Sequence, residues 1–423
     1  MPFIAAGKAV KRIARLRGGG SALPGLLMER LDPGFLQRTL GQLPHGVVLI
    51  SGTNGKTTTT KMVVALLESQ GLRVFTNPTG SNFVRGIMAA LLDDVDARGN
   101  LDADIAVLEL DEAHAIHFIK SVQPRYSLLL NVMRDQLDRF GEIDYTAQLL
   151  HTIAAATTEG VVLNRDDPRL GNQQFADGIS APIRTYGVSE QLQHFFPSDD
   201  SLHSRADDRR EPIMHDDTAL KSFKDNTAVL TYQHYTHIVD LKVKGIYNLV
   251  NAVGAVALVR MIMGDRLGES AMLAALSEVR PAFGRGETIM LDGQPVELVL
   301  VKNPAGFRLS LASFRPAGVG VMIAINDQYA DGRDMSWLWD VDFSSLAAGG
   351  VDTVSGVRAY DMALRLQYDA IELRTVSTHI APALRDFLQR NSNRPTRIFC
   401  SYTAMLAIRR ELGKMTNIEA ALS

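Results

Sequence analysis

Ser51-Gly52-Thr53-Asn54-Gly55-Lys56-Thr57-Thr58-Thr59-Thr60 stands directly after the apolar run Gly46-Val-Val-Leu-Ile50 and just before Met62-Val-Val-Ala-Leu-Leu67. That order predicts a strand, a glycine-bearing loop and a helix, in which successive backbone N–H groups and a helix N-terminus converge on one phosphate. Gly52 and Gly55 let the backbone approach the anion without side-chain clash, and Thr53, Asn54 and Thr58 lie in the same run of N–H groups. Lys56 adds a cation for β and γ phosphates, and the Thr57 hydroxyl is placed to reach Mg2+. Ile50 stands where the general GxxxxGK[ST] pattern has its first glycine, so the reading rests on the whole ten-residue string in its context.

Outward from this loop the chain alternates. Arg73-Val-Phe75, Ile105-Ala-Val-Leu-Glu-Leu110, Tyr126-Ser-Leu-Leu-Leu-Asn131 and Gly160-Val-Val-Leu-Asn164 read as strands, with a helix through Ile87–Leu92 between the first two. This is the rhythm of a doubly wound, mainly parallel α/β sheet, whose ligands lie beyond the carboxyl ends of the strands. Residues 190–230 break the rhythm with a polar, charged stretch that includes Arg205-Ala-Asp-Asp-Arg-Arg-Glu211, and they read as an inserted, exposed excursion. Strand-like alternation resumes from Tyr232 to Val243, a helix follows from Tyr247 to Met261, and a second α/β alternation begins at Val296-Glu-Leu-Val-Leu-Val301. The expected organisation is an N-terminal extension (1–45), a P-loop domain (46–285) carrying the insertion, and a smaller C-terminal α/β domain (286–423).

The balance of 44 basic and 47 acidic side chains, a formal charge of -3, gives no global field toward nucleic acid. Cys400 is the only cysteine, which excludes an internal disulfide, a cysteine zinc cluster and a CxxC pair, and fits a reducing compartment. No apolar run suits a signal-peptide core or approaches the roughly 18 residues of a spanning helix, so no transmembrane segment and a cytoplasmic location are expected. Residues 1–17 carry apolar positions between basic ones, compatible with a short amphipathic helix. It reads as a scaffold helix, or else as a basic face resting on anionic lipid at the inner side of a membrane.

The string SGTNGKTTTT between strand and helix resembles the loop shared by Mur ligases and folylpolyglutamate synthases. The resemblance implies a Mur-ligase-like fold and ATP-dependent activation of a carboxylate, in which an amine attacks an acyl phosphate. It makes Glu109, at the end of a neighbouring strand, a second ligand for Mg2+ beside Thr57, where the bland reading is a helix cap or a solvent-facing acid. KGIYNLVNAVGA (244–255) resembles the Mur-ligase helix start that reads adenine, with Asn248 and Asn251 as candidates and capping of that helix as the alternative. Arg285, within Phe283-Gly-Arg-Gly-Glu287, would reach nucleotide phosphate. His114 and His117 read as polar surface or substrate-side groups, and Asn82 and Arg85 as guesses for the substrate side.

Six further strings narrow the match: TNPTGSN (76–82), RDQLDRFGE (134–142), VKNPAGF (301–307), INDQYADGRDMSWLWDVDF (325–343), SGVRAYDMALRL (355–366) and YTAML (402–406). Together they resemble the MurT family, the ligase-like subunits of lipid II isoglutaminyl synthase. The resemblance implies a partner, the glutaminase subunit GatD, whose ammonia amidates the α-carboxylate of D-glutamate in the membrane-linked substrate lipid II. It also implies an aspartate lent to the partner's glutaminase triad, Asp334 or Asp340, with Asp327 and Asp331 as alternatives for ribose. Two departures count. The four cysteines of the zinc ribbon found in many such proteins are missing, so no zinc is expected despite histidines at 194, 203, 215, 234 and 237. Leu150 and His151 stand where peptide-adding Mur ligases place a carbamylated lysine, which weighs for amidation over amino-acid addition. The rival readings are a peptide-forming Mur or folylpolyglutamate-type ligase, and an ATP-binding scaffold without catalysis.

Overall fold

A computed structural model describes residues 2–16, 22–77, 82–133, 143–195, 217–243, 245–281, 285–312, 314 and 316–416. They fall into two compact units, the first within Met1–Val132, Ile143–Lys242 and Tyr247–Val279, the second within Met133–Glu142, Val243–Ile246 and Arg280–Ser423.

The first unit is organised by a nine-stranded sheet of order β2-β3-β1-β4-β5-β6-β7-β8-β9. Its strands are β1 (Val47–Ser51), β2 (Val74–Thr76), β3 (Ile105–Glu109), β4 (Tyr126–Leu129), β5 (Gly160–Asn164), β6 (Ile183–Val188), β7 (Thr218–Lys224), β8 (Thr227–Tyr232) and β9 (Tyr235–Asp240). Pairing is parallel from β2 through β7, and β7-β8-β9 closes the sheet as an antiparallel meander. Every residue of β1 and β3 is buried, as a parallel strand covered on both faces requires. The chain runs from β1 to β2 and β3 on one side and then crosses to β4 on the other, so the strand order reverses beside β1, the position at which doubly wound sheets bind ligands.

Three helices precede β1: α1 (Pro2–Leu16), α2 (Ala22–Leu31) and α3 (Phe35–Leu40). α1 lies on α2 and on α5 (Val84–Asp94), where Gly7 admits Met28 and Leu92 so closely that a Cβ would stand 2.7 Å from the Met28 sulfur. Lys8 Nζ donates to Val95 O at 2.6 Å, and Lys11 donates to Ala89 O and pairs with Asp93 at 2.5 Å. Lys8 thus meets the carboxyl end of α5, the pole of a helix that favours positive charge, and Lys11 binds along its last two turns. This packing supports the scaffold reading of residues 1–17.

The polar stretch 190–230 contains more order than its composition suggests, since β7 and most of β8 lie in it; residues 196–216 lie outside the described residues. One sequence expectation is corrected. Ile246–Arg266 does have the length and apolarity of a membrane-crossing helix, with a mean hydropathy of 1.6, but 83% of that window is buried inside the protein. Gly254 of this helix leaves room for the ring of Tyr186, whose nearest carbon would stand 3.0 Å from an added Cβ.

The second unit holds a six-stranded sheet of order β10-β11-β15-β12-β13-β14, from β10 (Arg285–Leu291), β11 (Gln294–Leu300), β12 (Gly320–Ala324), β13 (Val351–Ser355), β14 (Leu373–Ser377) and β15 (Thr396–Cys400). β10 and β11 form an antiparallel hairpin, and the other pairings are parallel. Phe307 anchors the core on one face, edge-on to Phe343 at 5.0 Å and tilted against Phe399 at 5.3 Å. The apolar side of Ile380–Arg390 and of Tyr402–Leu412 covers the other face. Cys400 is fully buried there, and burial pushes its thiol pKa well up.

Candidate functional site

The loop 51–55 joins β1 to α4 (Lys56–Glu68) at the reversal of strand order. Gly52 at φ 133° and Gly55 at φ 89° hold conformations that a side chain resists, and a Cβ on Gly55 would stand 2.5 Å from Asn251 Oδ1. Thr57 and Thr58 occupy the first turn of α4 and are buried, so their N–H groups belong to the unpaired donors of a helix start.

Lys56 Nζ donates to Gly52 O at 2.6 Å and stands 3.1 Å from Asp111 Oδ1 and 3.8 Å from Glu112 Oε1. Asp111 immediately precedes α6 (Glu112–Ile119), yet its carboxylate turns from that helix start to Lys56 and to Asn82, whose Nδ2 donates to Asp111 Oδ2 at 2.6 Å. Thr57 Oγ1 donates to Glu109 Oε1 at 2.8 Å, both groups being buried. A hydroxyl and a carboxylate converging at a strand end are hard oxygen donors of the kind Mg2+ takes, so the chain's residues fit that ion.

Two asparagines outside the expected set shape this region. Asn131, just past β4, accepts from Asn54 N–H at 2.8 Å and donates to Asn54 O at 3.0 Å, while Asn131 O accepts from Thr53 N–H at 3.0 Å. Asn77, just past β2, makes the same two-point contact with the backbone of Glu109. The available signal was a polar residue closing an apolar strand. Behind Asn131, the buried Asp167 accepts from the N–H groups of Val132, Arg169 and Leu170, and burial pushes its pKa up to about 6 against those bonds.

Asn248 lies in the first turn of the helix Ile246–Met263, and Asn251 lies one turn further in. Both are buried, Asn251 Nδ2 donates to Asn248 Oδ1 at 3.2 Å, and Asn251 touches the loop at Gly55. Arg85 is half exposed and bonds Glu29 Oε2 at 2.7 Å. His114 and His117 are exposed on α6, and His151 Nε2 lies 2.8 Å from Asp177 O. The 134–142 string, Lys244, the Arg285 side chain, and the histidine side chains at 194, 203 and 215 lie outside the described residues.

In the second unit Asp327 is paired with Arg358 at 2.8 Å. Asp331 is buried and accepts from Gln328 N–H at 3.0 Å, Thr403 N–H at 2.7 Å and Thr403 Oγ1 at 2.5 Å, which ties its loop to the start of the helix Tyr402–Leu412. Asp334 and Asp340 are exposed. Ser336 donates to the Asp334 carboxylate, at 2.9 Å from its N–H, and holds its pKa below the usual carboxylate value. Beside Asp340, Trp339 meets Tyr368 edge-on at 5.0 Å, and Tyr368 shares a helix face with Leu364 and Tyr360, all exposed.

Residues 50–259 match the Mur ligase middle domain and residues 300–405 the MurT ligase C-terminal domain. The chain is 30% identical to the lipid II isoglutaminyl synthase (glutamine-hydrolyzing) subunit MurT of Streptococcus pneumoniae (strain ATCC BAA-255 / R6), over 96% of this chain and 95% of that one. It is 28% identical to the subunit of the same name from Staphylococcus aureus (strain COL), over 86% and 87%. Among solved structures it resembles the MurF ligase of Thermotoga maritima in complex with ADP, with a TM-score of 0.66 at 19% identity, covering 91% of this chain and 83% of that one.

Proposed function

The chain belongs to the MurT family of lipid II isoglutaminyl synthase subunits, and from that premise we propose that it amidates the α-carboxylate of D-glutamate in lipid II at the expense of ATP. A carboxylate oxygen takes the γ-phosphoryl group and ADP leaves. Ammonia then attacks the acyl carbon, phosphate leaves, and the nitrogen gives up a proton to yield D-isoglutamine. The observation that carries this reading is the meeting of Lys56, Thr57 and Glu109 around one loop end.

The loop N–H groups from Gly52 to Thr58 and the Lys56 ammonium would hold the phosphates, which spreads the charge that develops on the transferred group. Thr57 and Glu109 would hold Mg2+, which when bound neutralises phosphate charge. Asn248 and Asn251 are assigned to the adenine side, and Asn82, bonded to Asp111, to the acceptor side. The ammonia is assigned to a glutaminase subunit, GatD, because this chain's one thiol is buried and cannot serve as a glutaminase nucleophile. Asp334 or Asp340 would orient that partner's histidine, and the exposed Trp339, Tyr360, Leu364 and Tyr368 suit a protein contact beside them. Use of ATP on a membrane-linked substrate suits a reaction at the cytoplasmic face of the membrane.

Incubation with ATP, lipid II and an ammonium salt tests the reading. Phosphate release without added amino acid, with replacement of one lipid II hydroxyl by an amino group in the mass spectrum, is the expected result, and Lys56→Ala abolishes both. Product that appears only when an amino acid is supplied would transfer the chain to the peptide-forming ligases.

A further inference from the structure

The ladder between β2 and β3 runs through Val74↔Ile105, Phe75↔Ala106 and Thr76↔Val107, where β2 ends. Glu109 lies beyond it, still paired with Ile50 of β1 on its other side. There a side chain takes over from the missing strand. Asn77 Nδ2 donates to Glu109 O at 3.0 Å, and Asn77 Oδ1 accepts from Glu109 N–H at 2.9 Å. A carboxamide has the donor and acceptor of a peptide unit, so Asn77 serves Glu109 as a strand neighbour one residue long. Both residues are 6% exposed, so water does not compete for these groups.

The Glu109 backbone is therefore fixed from both sides at the residue whose carboxylate meets Thr57 Oγ1. We propose that Asn77 is a positioning residue for the metal site, holding Glu109 so that its carboxylate and the Thr57 hydroxyl present oxygen to one divalent cation together. This inference rests on the reading that Thr57 and Glu109 hold Mg2+. Groups that orient a ligand from outside the coordination shell change metal affinity by about 10- to 100-fold when removed. Asn77 acts one bond further back, through the peptide that carries the ligand. The design is economical for a sheet whose chain must turn away after Thr76, because one side chain extends the register without extending the strand.

The test titrates Mn2+ into the full chain with a non-hydrolysable ATP analogue, reading free Mn2+ by its electron paramagnetic resonance signal, for wild type, Asn77→Ala, Asn77→Asp and Glu109→Gln. Asn77→Asp keeps the acceptor for Glu109 N–H and loses the donor, so it carries the test if Asn77→Ala does not fold. The expected result is Mn2+ binding weakened about 10-fold in the Asn77 variants, with turnover in the assembled enzyme recovering as Mg2+ is raised. Mn2+ affinity unchanged in a folded Asn77 variant, with only its melting temperature lowered, makes Asn77 a structural residue and overturns the inference while Glu109→Gln still weakens binding. Unchanged Mn2+ affinity in Glu109→Gln overturns the metal reading and the inference together.

Discussion

Asp167 shows how a residue remote from the chemistry sets the geometry of the loop. Its carboxylate gathers three N–H groups, from Val132, Arg169 and Leu170, and so fixes the chain that leaves Asn131, the residue clasping Asn54. Burial is the largest influence on its pKa and lifts it to about 6, from an ordinary value of 3.8. The folded protein therefore binds this proton more tightly than the unfolded chain, and folding gains stability as pH falls from about 6 toward 4. A carboxamide in place of the acid would not titrate and would turn an N–H toward one of the three donors. We expect Asp167→Asn to be less stable than wild type at pH 7 by about 1–2 kcal/mol, with the gap widening at pH 5. Urea unfolding at the two pH values measures it, and a gap that narrows on acidification contradicts the assignment.

At the scale of elements, α1 is held by what its lysines do. Lys8 faces the carboxyl end of α5, where a cation is worth roughly 0.3–1 kcal/mol, and Lys11 pairs with Asp93 of the same helix, an ion pair worth up to about 1 kcal/mol. Lys8→Ala with Lys11→Ala should lower the melting temperature by a few degrees and leave sedimentation with anionic vesicles unchanged; a selective loss of vesicle binding would restore the lipid-facing reading. Those lysines looked free in sequence because their partners lie about eighty residues away. The strands that bear the loop were legible for the opposite reason: β1, β3, β4 and β5 are continuous apolar runs whose burial needs no partner to be guessed. β6 and β7 were missed because Ile183-Arg-Thr-Tyr-Gly-Val188 and Thr218-Ala-Leu-Lys-Ser-Phe-Lys224 mix polar residues that alternation alone does not separate from loop. In the site, Lys56, Thr57 and Glu109 announced themselves by local order, whereas Asn77 and Asn131 act through the backbone of residues 32 and 77 positions away.

Across the whole molecule, ligase chemistry and glutamine hydrolysis make separable demands. We expect Asp334→Asn or Asp340→Asn, in complex with the glutaminase subunit, to cut glutamine-driven amidation of lipid II by about 10^4-fold, the loss that the matching change causes in a hydrolytic triad. Amidation driven by an ammonium salt should remain within about twofold of wild type, since a conservative change at an exposed position typically shifts stability by no more than about 0.5 kcal/mol. Assaying both variants with each nitrogen source decides which aspartate serves the partner, and equal loss with both sources would place the residue in the ligase reaction instead. Cys400 bears on how such experiments are done. It lies in β15, between β11 and β12 and fully buried, so the native chain presents no thiol to a maleimide or a disulfide reagent. A cysteine introduced on the surface can carry a fluorophore or a spin label without background, and modification of Cys400 itself becomes a clock for the opening of the second sheet.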